Sequence, residues 1–325
     1  MLVVAGAPLA AHRRLPQGQA PQTTTPEAPR PTFRTSVDRV GVTAVVRRAN
    51  GQPVMNLKQS DFELLDNGVP REILEFRSEP TPATLALLAD TSGSMALEQK
   101  RDATRAAAEQ VLAQLTPGED QVGLYAFDTT LQEVQPLGPV APGRILQGLD
   151  HLRPFGSTSL FDAIAETSRN LVGQGRTHRG VVALTDGGEN SSRMTAAEVS
   201  RLVSEIDVPV YIIVVISPNF REGLTPTDDR ESYTALAASS LGNLARWTGG
   251  EIFLASSPAQ TNLAARQIVD ELRHQYFIGF APDTSRPGWH PIDLRTRQKS
   301  LLVRARSGYV SQSRPSSLTS QNSTH

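Results

Sequence analysis

The sequence predicts an α/β protein: a doubly wound, mostly parallel sheet, flanked by a small β-subdomain formed by the N- and C-terminal strands. Three observations lead there. Between residues 81 and 275, short apolar runs alternate with longer segments of helical period. One of them, Leu85–Ala89, is apolar at every position, as a strand covered on both faces must be. Parallel strands need a crossover that returns over the sheet, so this alternation implies helices on both faces. On either side of the unit the pattern changes to period two, with Asn-Gly turns on the N-terminal side, which is antiparallel-strand chemistry.

Taken in order, residues 1–34 begin with "MLVVAGAPLAAHRR", which is like the end of a secretory signal lacking its basic start, or else a disordered leader. The following "LPQGQAPQTTTPEAPRPTF" is too rich in Pro, Gln and Thr to bury a core and reads as a linker. In residues 35–80, Val40, Val42, Ala44 and Val46 lie two apart, as on one strand face. "RANGQP" and "LDNGVP" supply Asn-Gly pairs that tolerate the positive φ of tight hairpin turns, so three or four strands are expected.

Residues 81–275 form the α/β unit. After Leu85–Ala89 a helix is expected over 96–115, with Ala103, Ala107, Val111 and Leu115 on one face and "TPGED" as its stop. Then come strand Gln121–Asp128, a short strand 131–137, a helix near Pro142–Leu149 and a helix Ser159–Val172. Strand Gly180–Asp186, a helix over 195–206, strand Val208–Ile216, one helix over 232–247 ended by Gly249-Gly250, strand 251–255 and a last helix over 258–275 complete it. Residues 276–312 return to strands: "QYFIGF", "HPIDLRT" and a single "SLLVRARSGYV", in which Val303 and Ala305 alternate with Arg304 and Arg306. The simplest geometry pairs this segment with residues 35–80. The polar residues 313–325 are expected to be disordered.

Composition narrows the function. A formal net charge of -1 argues against nucleic acid as the main partner. No apolar run reaches the roughly 18 residues of a membrane span. The absence of cysteine excludes disulfides, thiolate metal sites and cysteine catalysis.

The chemistry concentrates in "ADTSGSM", where Asp90, Ser92 and Ser94 follow the first buried strand. Open α/β sheets bind ligands at such carboxyl ends, and Asp186 ends another strand. A hydrolase elbow needs Gly-x-Ser-x-Gly, and neither serine has those glycines. A phosphate loop needs Gly-x-x-x-x-Gly-Lys-Ser/Thr, which is absent. An aspartyl-phosphate enzyme built on Asp90 would lack its second aspartate, and neither His151 nor His178 is placed as a base. A hard cation fits better, because it wants about six oxygens and often keeps waters. Plainer readings stand beside it: Ser92, Ser94 and Thr158 as helix caps, and Asp186 as a turn residue before Gly187-Gly188. Glu189 and Asn190 read as solvated loop, and Asp128 as a strand-end turn.

Asp-x-Ser-x-Ser (Asp90, Ser92, Ser94), a loop threonine (Thr158) and a later Thr-Asp-Gly (Asp186) together resemble the metal-ion-dependent adhesion site of von Willebrand factor type A domains. The resemblance covers roughly residues 82–275. The flanks, Gly51–Phe76, Tyr276–Pro282 and Val303–Tyr309, are similar to those of a bacterial secreted group of such proteins. It implies a Mg²⁺ site, with Mn²⁺ or Ca²⁺ as alternatives, in which the two serines and the threonine are ligands and the aspartates act directly or through water. It also implies a non-enzymatic adhesion module that takes a carboxylate from a protein partner, secreted or associated with the periplasm or cell envelope. The rival implication is a metal-gated scaffold, as in chelatase subunits.

Overall fold

In the computed structural model, residues 39–172, 178–216, 226–283 and 285–311 are described, all of them within the compact unit Asp38–His325. The leader and linker expected in residues 1–34, and the tail expected in 313–325, lie outside them. The first strands are β1 (Val40–Arg48), β2 (Phe62–Asp66), β3 (Val69–Arg71) and β4 (Ile73–Arg77). The α/β unit runs β5 (Thr84–Asp90), α1 (Glu98–Gln114), β6 (Gln121–Phe127), β7 (Leu131–Pro139), α2 (Pro142–His151), α3 (Leu160–Val172), β8 (Arg179–Thr185), α4 (Ala196–Glu205) and β9 (Val210–Val215). It continues through α5 (Pro226–Ala238), α6 (Ser240–Trp247), β10 (Ile252–Ala255) and α7 (Pro258–Arg273). The last strands are β11 (Tyr276–Phe280), β12 (Gly288–Thr296), β13 (Leu301–Ala305) and β14 (Gly308–Ser311).

The central sheet has the order β10-β9-β8-β5-β6-β7, parallel except for the antiparallel edge strand β7. Every residue of β5 is buried, as its apolar run demands. Leu85, Leu87 and Ala89 face a core shared with α1, α2 and α7. Ala86 and Leu88 face the opposite core, shared with α3, α4 and α6. The alternation of one strand thus holds both helical layers. Among the described residues no helix is long and apolar enough to cross a membrane.

The flanking strands form two four-stranded antiparallel sheets, β13-β1-β11-β4 and β14-β12-β2-β3. Each mixes strands from both ends of the chain: β1 pairs with β11 and β13, and β2 with β12. They share one core that includes Val42, Val46, Leu64, Tyr276, Ile278 and Tyr309. The β2–β3 turn uses Asn67 and Gly68 at φ 53° and 78°, the conformation expected of an Asn-Gly hairpin.

Several expected boundaries are corrected. The helix after β5 begins at Glu98, because residues Gly93–Ala96 form a separate 3-10 turn. The short strand over 131–137 extends to Pro139. The Asn50-Gly51 turn leads only to an isolated bridge between Arg47 and Pro53. The helix expected over 232–247 is two helices, because Ser239 accepts from Gly242 N–H at 3.2 Å and so starts a new helix. The strand expected over 300–310 is broken between β13 and β14, which lie in different sheets. At that break Arg306 is buried, its guanidinium donating to the carbonyls of Ser204 and Gly41.

Candidate metal centre

The parallel register brings three strand ends to one level: Asp90 pairs with Phe127, and Ala89 with Leu184. The loops after β5, α2 and β8 therefore meet above the sheet. Phe155 N–H donates to Thr91 O at 2.8 Å, and Gly93 N–H to Gly156 O at 2.9 Å, stitching the first two loops together. A Cβ on Gly93 would come within 3.2 Å of that carbonyl, and Gly156 turns at φ 78°.

All five residues singled out in the sequence meet here. Asp90 is buried; its Oδ1 accepts from Ser92 N–H at 2.9 Å and its Oδ2 from the Thr185 hydroxyl at 2.6 Å. Burial pushes its carboxyl above the ordinary aspartate range, and the bonds from Thr185 and Ser92 only partly offset this. Ser92 is also buried, and its Oγ lies 3.2 Å from Ser94 Oγ. The Ser94 hydroxyl bonds in turn to Asp186. Asp186 Oδ1 accepts from Gly188 N–H at 3.0 Å, and Oδ2 from Lys100 Nζ at 2.6 Å. Burial raises the Asp186 carboxyl, but Lys100, Ser94 and Gly188 more than reverse it and hold it below the usual value. Thr158 is buried beside it: a Cβ added to Gly188 would sit 3.1 Å from Asp186 Oδ1 and 3.6 Å from Thr158 Oγ1. Glycine there leaves both oxygens facing one space.

The helix-cap reading of the first serine does not hold. Ser92 precedes the 3-10 turn without any side-chain cap bond, and the N-cap of α1 is Leu97. The solvated-loop reading of Glu189 and Asn190 is corrected as well. Asn190 Oδ1 accepts from Thr158 N–H at 2.9 Å, while Thr158 O accepts from the amides of Asn190 and Ser191. Glu189 Oε2 accepts from Phe161 N–H at 3.0 Å, at the start of α3, where a carboxylate complements the helix dipole. Asp128 forms a strand-end turn, accepting from Thr130 N–H at 2.8 Å, and its carbonyl accepts from Ser159 N–H.

Lys100 and Thr185 are residues of the candidate site that sequence reasoning passed over, and Asn190 is one that it read as solvated loop. Thr185 was visible as the first member of Thr-Asp-Gly. Lys100 carried no signal beyond being a polar residue early in a helix. Among the described residues, no group of three or more His, Asp or Glu is placed to hold a metal ion. Any cation here must rest on hydroxyls with two carboxylates, a hard and largely neutral donor set.

Residues 85–189 match the family model of the von Willebrand factor type A domain, a segment that contains all five positions. Over these residues the chain is similar to a von Willebrand factor type A domain. No curated protein matches the chain. Among solved structures it is similar to a von Willebrand factor type A protein from Catenulispora acidiphila, at 14% identity over 78% of this chain and 72% of that one, with a TM-score of 0.46. It is also similar to an aerotolerance-related membrane protein from Bacteroides fragilis (17%, 58% and 98%, TM-score 0.46) and to the PilB minor pilin from Streptococcus sanguinis (14%, 60% and 62%, TM-score 0.44).

Proposed function

We propose that this chain is a non-enzymatic protein-binding module of the cell envelope or exterior, whose strand-end site holds Mg²⁺ and through it a carboxylate of a protein partner. Ser92, Ser94 and Thr158 would hold the ion through their hydroxyls, with Asp90 and Asp186 direct or through water. The observation that carries this reading is the 3.2 Å between Ser92 Oγ and Ser94 Oγ. Ligands about 2.1 Å from an ion in an octahedron lie about 3.0 Å apart, and the larger Ca²⁺ widens that edge to about 3.3 Å. The serine pair therefore fits as neighbouring ligands, with Mn²⁺ or Ca²⁺ as alternatives.

A cation held largely by neutral hydroxyls keeps much of its positive charge and so attracts an acidic group. This chain's part is to fix the oxygens. Thr185 and Ser92 N–H aim Asp90, Asn190 holds the Thr158 backbone, and the Gly93–Gly156 bond fixes the two loops to each other. Binding suits this arrangement better than hydrolysis, because among the described residues neither serine bonds to a histidine. Three histidines bond elsewhere through their rings: His151 to Gln147, His274 to Asp270, and His290 to Asp66 and Arg286.

The test is thermal unfolding in millimolar Mg²⁺ or Mn²⁺ against EDTA. Metal should raise the midpoint by mass action on the folded state, and Asp90→Ala should abolish the rise. An unchanged midpoint sinks the metal reading. Capture of envelope and medium proteins with and without EDTA then tests the partner, and equal recovery in both counts against metal-dependent recognition.

A further inference from the structure

Lys100 stands out because it brings an ammonium group into a candidate cation site. Its Nζ donates to Asp186 Oδ2 at 2.6 Å, and both side chains are largely shielded from solvent, at 21% and 12% exposure. The lysine lies in the first turn of α1, within the chain segment that supplies Asp90, Ser92 and Ser94. The helix that follows the serine turn therefore delivers the ammonium.

We propose that Lys100 sets the charge of the cation site: it weakens the hold on the metal and in exchange leaves the occupied site net positive, so that a partner carboxylate completes it. The inference rests on the cation-site reading above. Asp90 and Asp186 bring two negative charges, Lys100 one positive, and the hydroxyls of Ser92, Ser94 and Thr158 none. A divalent cation then leaves one net positive charge, which one incoming carboxylate neutralises. Without Lys100 the two aspartates would balance the same cation in net charge, and the pull on an acidic ligand would be weaker. Charges within a few ångströms in a partly desolvated site interact strongly enough for this single ammonium to decide the balance.

The experiment uses the full chain and its Lys100→Met and Lys100→Arg variants, with unfolding curves to show that each is folded. Mn²⁺ alone is titrated by calorimetry, and acetate serves as the carboxylate probe, read by displacement of Mn²⁺-bound water in proton relaxation. Lys100→Met should bind Mn²⁺ about tenfold more tightly and, once saturated, bind acetate several-fold more weakly. Lys100→Arg, which keeps the charge, should stay near the parent in both. In an Asp186→Asn background the gain from Lys100→Met should shrink, because the ammonium has lost its carboxylate. Equal or weaker Mn²⁺ binding by Lys100→Met, or unchanged acetate binding, overturns the role of Lys100 while leaving the cation site standing. No Mn²⁺ binding by parent or variants overturns both.

Discussion

Two regions of this molecule gather charge away from water, and they settle it in opposite ways. Where the β-subdomain meets the α/β unit, Glu271 of α7 is fully buried between Arg47 of β1 and Arg304 of β13, and Arg304 also pairs with Glu251. Burial works against the charge on Arg304, but Glu271 and Glu251 more than restore it and hold its pKa above the ordinary arginine value. Gln267 adds a bond to Glu251 at 2.6 Å. At the strand ends, by contrast, Asp90 is met by a hydroxyl and an amide, and Asp186 by one lysine and an amide. The first cluster is closed by guanidinium groups from distant strands and acts as architecture. The second keeps oxygens pointing at a shared space and suits a ligand.

The strongest way to break this contrast is to open the closed cluster. Arg304→Met strips Glu271 and Glu251 of their shared ion-pair partner and leaves Glu271, which has no exposed side-chain surface, with Arg47 as its remaining cation. Removing one member of a buried ion pair costs about 3 to 5 kcal/mol, because the remaining charge is uncompensated. Urea unfolding should show that loss, and adding Glu271→Leu should recover a large part of it. A loss below about 1 kcal/mol would mean that the cluster is not the closed structural device described above.

A smaller effect tests the same principle at the opposite end of the central sheet from the site. The buried Asp120 accepts from Ala83 N–H at 2.7 Å and Thr116 N–H at 2.6 Å, and pairs with Arg273 of α7. Burial raises its carboxyl, but Arg273 and the two amides more than reverse this and place it below its ordinary 3.8. A carboxylate whose folded pKa is depressed contributes stability above its unfolded pKa and loses it as pH falls through the folded one. Asp120→Asn should therefore cost about 2 kcal/mol at pH 7, and the gap from the parent should narrow below about pH 3.8. A pH-independent gap would show that the amides matter and the charge does not.

The same comparison explains what could be read from the chain. Asp90, Ser92 and Ser94 are contiguous and end an apolar run, so one turn displays three site residues at once. Thr158 and Asp186 are far off in sequence, but each sits at an element boundary and in a motif of known order. The junction offers no such window. Arg304 lies more than thirty residues from Glu271 and more than fifty from Glu251, and the alternation Val303-Arg304-Ala305-Arg306 looks like a strand with one face in water. Its arginine face packs on the α/β unit instead, a fact of tertiary arrangement that no local period carries. The broken helix at Ser239 failed differently: a capping serine inside a helical pattern is a local signal outweighed by the apolar residues around it. Lys100 was hidden because a lysine in the first turn of an amphipathic helix is ordinarily solvated.

The smallest effect falls on a residue whose role was misjudged from the sequence. Asn190 is exposed and follows Asp186-Gly187-Gly188, the usual setting of a solvated turn. Its Oδ1 nonetheless accepts from Thr158 N–H, while its own N–H returns to Thr158 O at 3.1 Å. The two loops thus clasp at the threonine. Asn190→Ala keeps the backbone bond and removes the side-chain one, which should cost about 1 kcal/mol in denaturant unfolding. Because Thr158 would then be less fixed, Mn²⁺ affinity should fall several-fold, whereas Asn190→Asp, which retains an acceptor oxygen, should not lower it. If Asn190→Ala leaves both stability and Mn²⁺ binding unchanged, the loop is the solvated turn its sequence suggests, and Thr158 is positioned by the strand ends and α3 alone.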